Sequence, residues 1–300
     1  MNRRLVDPET GEIIDDVVRV VTDTQQGKIG RYRKLQQQRK ELRDIIAEQC
    51  GEFYFYRYDK LLNQLGDDTA TGFRFLYLCA CANQEGYCER SHEVYCNTKE
   101  DFIDIFDVPK RTAIKYIDDL LNNKLIYKDN IGYKLNPMFY SMGNLNNDFR
   151  RNTIRTFNKA IRELYYNSDP REHKTIGKIL KLVPYINIYN NILCFNINET
   201  DNKLIEPLTL KDILYILNNN NYSYTVMDKI NDLWIKGEPV IGCFNSVGQK
   251  QFIVNPRLFY RGNNAHDLQA IIDQFDISKY SYIRKNKKKA MKKRPTGGEN

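Results

Sequence analysis

Lys110, Arg111, Thr112 and Lys115 lie within six residues of one another, on a stretch whose apolar positions are Ala113, Ile114, Ile117, Leu120 and Leu121. That spacing is helical, so one face packs and the other carries the basic and hydroxyl groups. On an exposed helix these residue types suit a nucleic acid. A guanidinium donates two parallel hydrogen bonds to a guanine edge, while ammonium and hydroxyl groups hold phosphates or pack on a thymine methyl. The same residue types also make an ordinary solvated face, so the surrounding elements must decide.

A second stretch, Tyr222, Ser223, Tyr224, Thr225 and Lys229 with Asp228 among them, is less basic. Its hydroxyls suit phosphate contacts, and it suits protein contact or dimerisation equally well. Cys79-x-Cys81, Cys88, His92 and Cys96 invite a zinc reading. No Cys-x-x-Cys pair occurs, and residues two apart on a helix point to different faces, so core thiols are the better reading. There are three histidines, His92, His173 and His266, and no phosphate-binding glycine loop, Gly-x-Ser-x-Gly or His-Glu-x-x-His motif. The expectation is a protein that is not an enzyme and needs no cofactor or metal.

The elements around the first basic stretch are ordered. Thr98 is a good N-cap before Lys99-Glu100-Asp101, with the acid in place to complete a capping box. Phe102, Ile103 and Phe106 give that short helix an apolar face. Asp107-Val108-Pro109 forms a turn, and the basic helix runs from Pro109 to Asn123. Leu125–Lys128, Asp129–Gly132 and Tyr133–Leu135 read as a hairpin, with Lys128 and Lys134 flanking its tip. Helix, turn, helix, hairpin is the winged helix-turn-helix order.

The order recurs. Thr209 caps Leu210 to Leu217, Asn218 to Asn221 make a turn, and Tyr222 to Lys236 is the second helix, with Val226, Ile230, Leu233 and Trp234 as its stripe. Pro239–Phe244 and Gln251–Val254 form a longer wing bearing Lys250, with Arg257 and Arg261 adding local charge after it. Each hairpin is followed by one nine-residue element, Asn136-Pro137-Met138-Phe139-Tyr140-Ser141-Met142-Gly143-Asn144 and then Asn255-Pro256-Arg257-Leu258-Phe259-Tyr260-Arg261-Gly262-Asn263. Two such occurrences in equivalent places argue for duplication.

The expected fold class is α+β, mostly helical, with two tandem winged helix-turn-helix domains. The chain divides into an N-terminal arm and basic helix (1–51), domain 1 (52–145), domain 2 (153–263) and a C-terminal segment with a lysine-rich tail (264–300). The basic helix, roughly Gly30 to Gln49, includes Arg31, Arg33 and Lys34 as candidate phosphate contacts. The formal charge of +8 lies entirely beyond residue 278, where nine Lys and Arg residues oppose Glu299. That tail, with Lys287, Lys288, Lys289, Lys292 and Lys293, is expected to be disordered and to add salt-dependent affinity through counterion release. No window approaches a membrane span, no secretory h-region occurs at the start, and an odd seven cysteines suit a reducing cytoplasm.

With its helix-turn-helix, the Lys124-Leu125-Ile126 strand start, the wing and an Asn-Pro-x-x-Phe-like ending at Asn136-Pro137-Met138-Phe139-Tyr140, the chain resembles replication initiators of small Gram-positive plasmids of the RepL type and related phage proteins. The resemblance covers 52–145 well and 153–263 less well. The chain differs in having two units, a basic N-terminal helix and a lysine tail. The resemblance implies the winged-helix fold and double-stranded DNA as ligand. The expectation is therefore a nucleoid-associated, sequence-specific DNA-binding protein of a phage or plasmid, serving replication initiation at an origin or transcription regulation. It has a homodimer and host replication or transcription proteins as further partners. The other reading is a winged-helix interaction protein that binds host polymerase or replisome subunits without specific readout.

Overall fold

The computed structural model describes residues 5–6, 13–14, 23–91, 94–143, 152–217, 224–235, 237–246 and 249–277. The chain is α+β. Strands β1 (Leu5–Val6) and β2 (Ile13–Ile14) pair as a small antiparallel ladder. Helix α1 (Asp23–Ile45) follows and runs into a short π-helical turn, Ile46–Cys50. Only the end of this segment packs: Leu42, Ile46 and Cys50 are buried, whereas Lys28, Gly30 and residues 31–35 are exposed. Gly51, at φ +86°, ends it and donates its N–H to the Ile46 carbonyl at 2.7 Å.

Two units of like order follow. The first runs β3 (Phe53–Arg57), α2 (Tyr58–Leu65), α3 (Thr69–Cys81), a short ladder of β4 (Glu89–Ser91) and β5 (Val94–Tyr95), α4 (Phe102–Phe106) and α5 (Lys110–Asn122). The hairpin β6 (Ile126–Lys128) and β7 (Tyr133–Leu135) and the short strand β8 (Tyr140–Ser141) complete it. The second runs β9 (Thr153–Phe157), α6 (Asn158–Tyr166), α7 (His173–Gly177) continued by a 3-10 stretch Lys178–Tyr185, α8 (Leu210–Leu217) and α9 (Tyr224–Asn231). Its hairpins are β10 (Trp234–Ile235) with β11 (Glu238–Pro239) and β12 (Ile241–Ser246) with β13 (Gln249–Val254), followed by β14 (Phe259–Tyr260).

A reciprocal capping box forms in the second unit, whereas in the first only the acid's half forms and the N-cap of α4 is Asp101 rather than Thr98. The Asp101 carboxylate accepts the N–H groups of Asn97 and Thr98 at 2.8 Å, and burial, which would raise its pKa, is outweighed by those bonds. Asp212 accepts the Thr209 N–H, and the Thr209 hydroxyl accepts the Asp212 N–H. The Asn-Pro elements are also alike in detail. Asn136 donates its side-chain amide to the Lys124 carbonyl and its backbone N–H to that of Leu125. Asn255 does the same to Pro239 and Val240. Each asparagine side-chain oxygen then accepts an amide two residues on, from Met138 or Arg257.

Three sequence expectations change. The second helix of the second pair ends at Asn231, not Lys236. Leu233 and Trp234 fit a helical stripe by spacing, but Gly237 at φ +73° turns the chain and pairs Trp234 with Pro239. The apolar, β-branched runs 185–188 and 192–195 have strand-like composition but make only isolated bridges, among them Ile186 to Leu193 and Ile192 to Ile253. The C-terminal segment holds an unexpected helix α10 (265–277), capped by Asn264, whose side-chain oxygen accepts the His266 N–H at 3.0 Å. Ala265, Leu268, Ile271, Ile272 and Phe275 are its buried face.

The two units share one four-stranded antiparallel sheet in the order β14-β9-β3-β8, and one continuous core. Successive residues Tyr54, Phe55 and Tyr56 are buried, as are Ile154, Arg155 and Thr156, so both faces of the central pair are covered. Helix α3 packs on α6 and α7. Tyr77 and Tyr165 stack at 3.6 Å and 10°, worth about 1 kcal/mol beyond burial. Their hydroxyls donate to the carbonyls of Ile105 and Phe106, which ties this seam to the end of α4. Gly177 lies so close to Thr69 that a Cβ there would fall 1.8 Å from the Thr69 carbonyl oxygen.

Candidate nucleic-acid interface

Helix α5 presents Lys110, Arg111 and Lys115 to solvent, with Thr112 half-buried, while Ala113, Tyr116, Ile117 and Leu120 bury the opposite face. Pro109 begins the helix in extended conformation, and its carbonyl accepts the N–H groups of Thr112 and Ala113. Asp107 adopts the left-handed conformation, φ 48°, which makes the tight turn between α4 and α5.

Ion pairs sort the charges on this face. Lys110 lies 3.2 Å from Glu100, and that carboxyl is held below its usual pKa by its own backbone amide and by Lys110. Asp118 is paired with Lys99, just before α4. Asp119 faces Arg74 at 3.7 Å, and the Arg74 guanidinium lies 3.6 Å over the Tyr116 ring. The acids on the C-terminal half of α5 are thus balanced from outside the helix. Arg111 and Lys115 have no ion-pair partner among the described residues. The two unbalanced cations therefore sit on the N-terminal half, where a recognition helix reads base edges.

In the first hairpin Lys128 is exposed, 5.6 Å over the Tyr133 ring. Lys134 is half-buried and stands 4.1 Å over Tyr87, whose hydroxyl donates to Asp129 at 2.8 Å. Asp129 also accepts the amides of Ile131 and Gly132, which shapes the hairpin tip and holds its carboxyl below the usual range. Lys134 thus helps build the hairpin, and Lys128 has no ion-pair partner among the described residues.

The second unit supplies a longer hairpin with Lys250 exposed on it, 5.1 Å over Phe252. Tyr224, Thr225 and Lys229 lie on the backbone of α9. Their side chains, Tyr222 and the tail lysines Lys287, Lys288, Lys289, Lys292 and Lys293 lie outside the described residues. Arg31, Arg33 and Lys34 are exposed on a separate element, α1. Arg257 and Arg261, expected to add surface charge, are instead internal. Arg257 bonds Asp276 through both terminal nitrogens at 2.9 and 3.1 Å and Glu238 at 3.0 Å, clamping α10 to the second unit. Arg261 donates to the Ile186 carbonyl at 3.2 Å and to the Tyr58 hydroxyl of the first unit.

The sequence reading missed Lys99, Glu100 and Arg74, which set the charge balance of α5. Lys99 and Glu100 stood beside the N-cap and were readable as a pair of opposite charges, but their partners are on another helix.

Burial raises the thiol pKa of Cys79, Cys88 and Cys96, the last to about 12. None of the three is an activated nucleophile. Among the described residues no helix is long and apolar enough to cross a membrane, and no group of three His, Cys, Asp or Glu side chains is placed to hold a metal. No family model, curated protein or solved structure matches the chain.

Proposed function

We propose that the chain is a sequence-specific double-stranded DNA-binding protein of a phage or plasmid, built from two winged helices, serving origin binding in replication or transcription regulation. The observation that carries this reading is the charge sorting on α5. Arg111 and Lys115 have no ion-pair partner among the described residues and stand on the N-terminal half of a helix that follows a tight turn and precedes a hairpin, while its acids are balanced by Lys99 and Arg74. In such a docking the helix enters the major groove, Arg111 reads a guanine edge, and Lys115 and Lys128 hold backbone phosphates. The α1 cations and the lysine tail add sequence-independent affinity.

Fluorescence anisotropy with a selected duplex and a scrambled one tests this. Arg111→Ala should weaken the selected duplex by about 5- to 150-fold and the scrambled one much less; Lys115→Ala should weaken both about equally. If neither variant alters preference or affinity, α5 does not read DNA.

A second reading has one observation in its favour. Tyr127 and Ile131 in the first hairpin and Met138 after it are 39%, 46% and 53% exposed. Apolar side chains at and beside a wing suit a protein partner, such as a host polymerase or replisome subunit. Under that reading Tyr127→Ala and Ile131→Ala abolish partner capture and leave DNA affinity unchanged.

A further inference from the structure

The duplication obeys a two-fold relation that extends to single hydrogen bonds. The β3–β9 ladder pairs Phe53 with Phe157, Tyr54 with Thr156, Phe55 with Arg155, Tyr56 with Ile154 and Arg57 with Thr153. Each residue of β3 thus has its counterpart one hundred positions on in β9, and the antiparallel register is centred on Phe55 and Arg155. Two antiparallel strands paired about their midpoints are related by a local two-fold axis there.

The bonds beyond the ladder repeat across that axis. Tyr58 N–H donates to the Asn152 carbonyl at 3.1 Å, and Asn158 N–H donates to that of Glu52 at 2.9 Å. Arg57 N–H donates to Phe139 at 3.0 Å, and Phe157 N–H donates to Leu258 at 3.2 Å. Tyr56 pairs with Tyr140 and Thr156 with Phe259; Phe55 pairs with Ser141 and Arg155 with Tyr260. The operation that carries β3 onto β9 therefore carries β8 onto β14. It carries each Asn-Pro anchor onto the other, and with the anchors the roots of the two hairpins, Leu125 and Val240. The capped helix pairs that precede those roots, α4–α5 and α8–α9, correspond in the same order.

We infer that the chain reads a DNA site composed of two unlike half-sites in inverted orientation, one for each unit. The inference rests on the DNA-binding reading proposed above. B-DNA has two-fold axes perpendicular to its length, and modules related by such an axis meet their half-sites in opposite polarity, as subunits of a symmetric dimer do. Direct repeats would require a translation between the units, which the β3–β9 register does not provide. The half-sites differ because the readers differ: Lys110-Arg111-Thr112 with Lys115 on one side, Tyr224-Thr225 with Lys229 on the other. The hairpins differ too. Strands of six residues in β12 and β13 against three in β6 and β7 give the second wing about 10 Å more reach, at roughly 3.3 Å per residue.

Selection of binding sites from random duplexes with the full chain tests this. The expected product is two different motifs of opposite orientation, with centres about one helical turn, 10–10.5 base pairs, or a multiple apart. Reversing the second motif in place should lower affinity at least tenfold, and so should a five-base-pair insertion that moves it to the other face of the duplex. Arg111→Ala should erase one motif and leave the other. Two motifs in direct orientation, or a single motif with no effect of reversal or insertion, would overturn the two-fold reading and leave sequence-specific binding intact. Recovery of no motif at all would overturn the underlying DNA-binding reading instead.

Discussion

Arg155 lies directly opposite Phe55 in the β3–β9 ladder, each the third of five residues in its own strand. The guanidinium is buried, 5.6 Å over Phe53, 5.1 Å over Phe55 and 5.6 Å over Tyr260. It donates to the Gly262 carbonyl and to the Asn263 side chain, just before α10. Burial lowers its pKa, and among the described residues ring faces and neutral acceptors hold the charge. Arg155→Ala should cost about 2–4 kcal/mol in urea unfolding, because it removes both the packing and the donors. Arg155→Met should recover at least half of that, since the stem between the rings remains. Equal losses for the two variants would show that hydrogen bonds alone account for the residue.

The contact of α3 with α7 leaves no room for a side chain at Gly177. Gly177→Ala places a Cβ against the Thr69 carbonyl and should destabilise the chain by about 3 kcal/mol or more. Gly30→Ala is the control: nothing lies within 4 Å of a Cβ on this exposed turn of α1, so a gain of about 0.5–1 kcal/mol is expected. Thermal unfolding of both variants checks the pair.

His173 links the units and carries a pH signature. It is buried against Phe73 and Tyr165, and Arg74 Nε–H lies 3.5 Å from its Nδ1. Burial first, and then Arg74, lowers its pKa from 6.5 to about 4. The folded state therefore binds fewer protons than the unfolded state between those values. The neutral histidine's share of stability is complete above pH 6.5 and is lost as pH falls towards 4, a loss of up to about 3 kcal/mol. His173→Gln should flatten the stability profile in that window. An unchanged slope would show that the histidine already titrates normally in the fold.

Glu100 holds Lys110 at the edge of the proposed interface. Glu100→Gln removes a carboxylate from beside the phosphate path and should raise duplex affinity about two- to fivefold at low salt, with no change in melting temperature, because the pair is exposed. A fall in affinity would place Lys110 away from the DNA.

Much of this was legible in the sequence because the signals are local. Thr209 as a cap, the Asp129–Gly132 tip and the repeated Asn-Pro element each rest on residues within a few positions of one another. The β3–β9 pairing was not legible. Its partners are 96 to 104 residues apart, and an arginine inside a buried strand argues against such a pairing by composition. The roles of Arg257 and Arg261 were hidden for the same reason, since Asp276 and Tyr58 are remote in sequence. In α9 the apolar spacing at Leu233 and Trp234 suited a helix, and the Gly237 turn overrode it. Only half of the charge pattern on α5 was visible, because the residues that neutralise its acids lie on α3 and just before α4.

Salt titration of binding to a mixed-sequence duplex checks the proposed hold of these cations on duplex DNA. Log K should fall in a straight line against log salt, with a slope corresponding to several released counterions, about −0.9 for each phosphate neutralised. Arg111→Ala with Lys115→Ala should make that slope shallower by about one to two. Binding that is absent at low salt, or that has no dependence on salt, would contradict it.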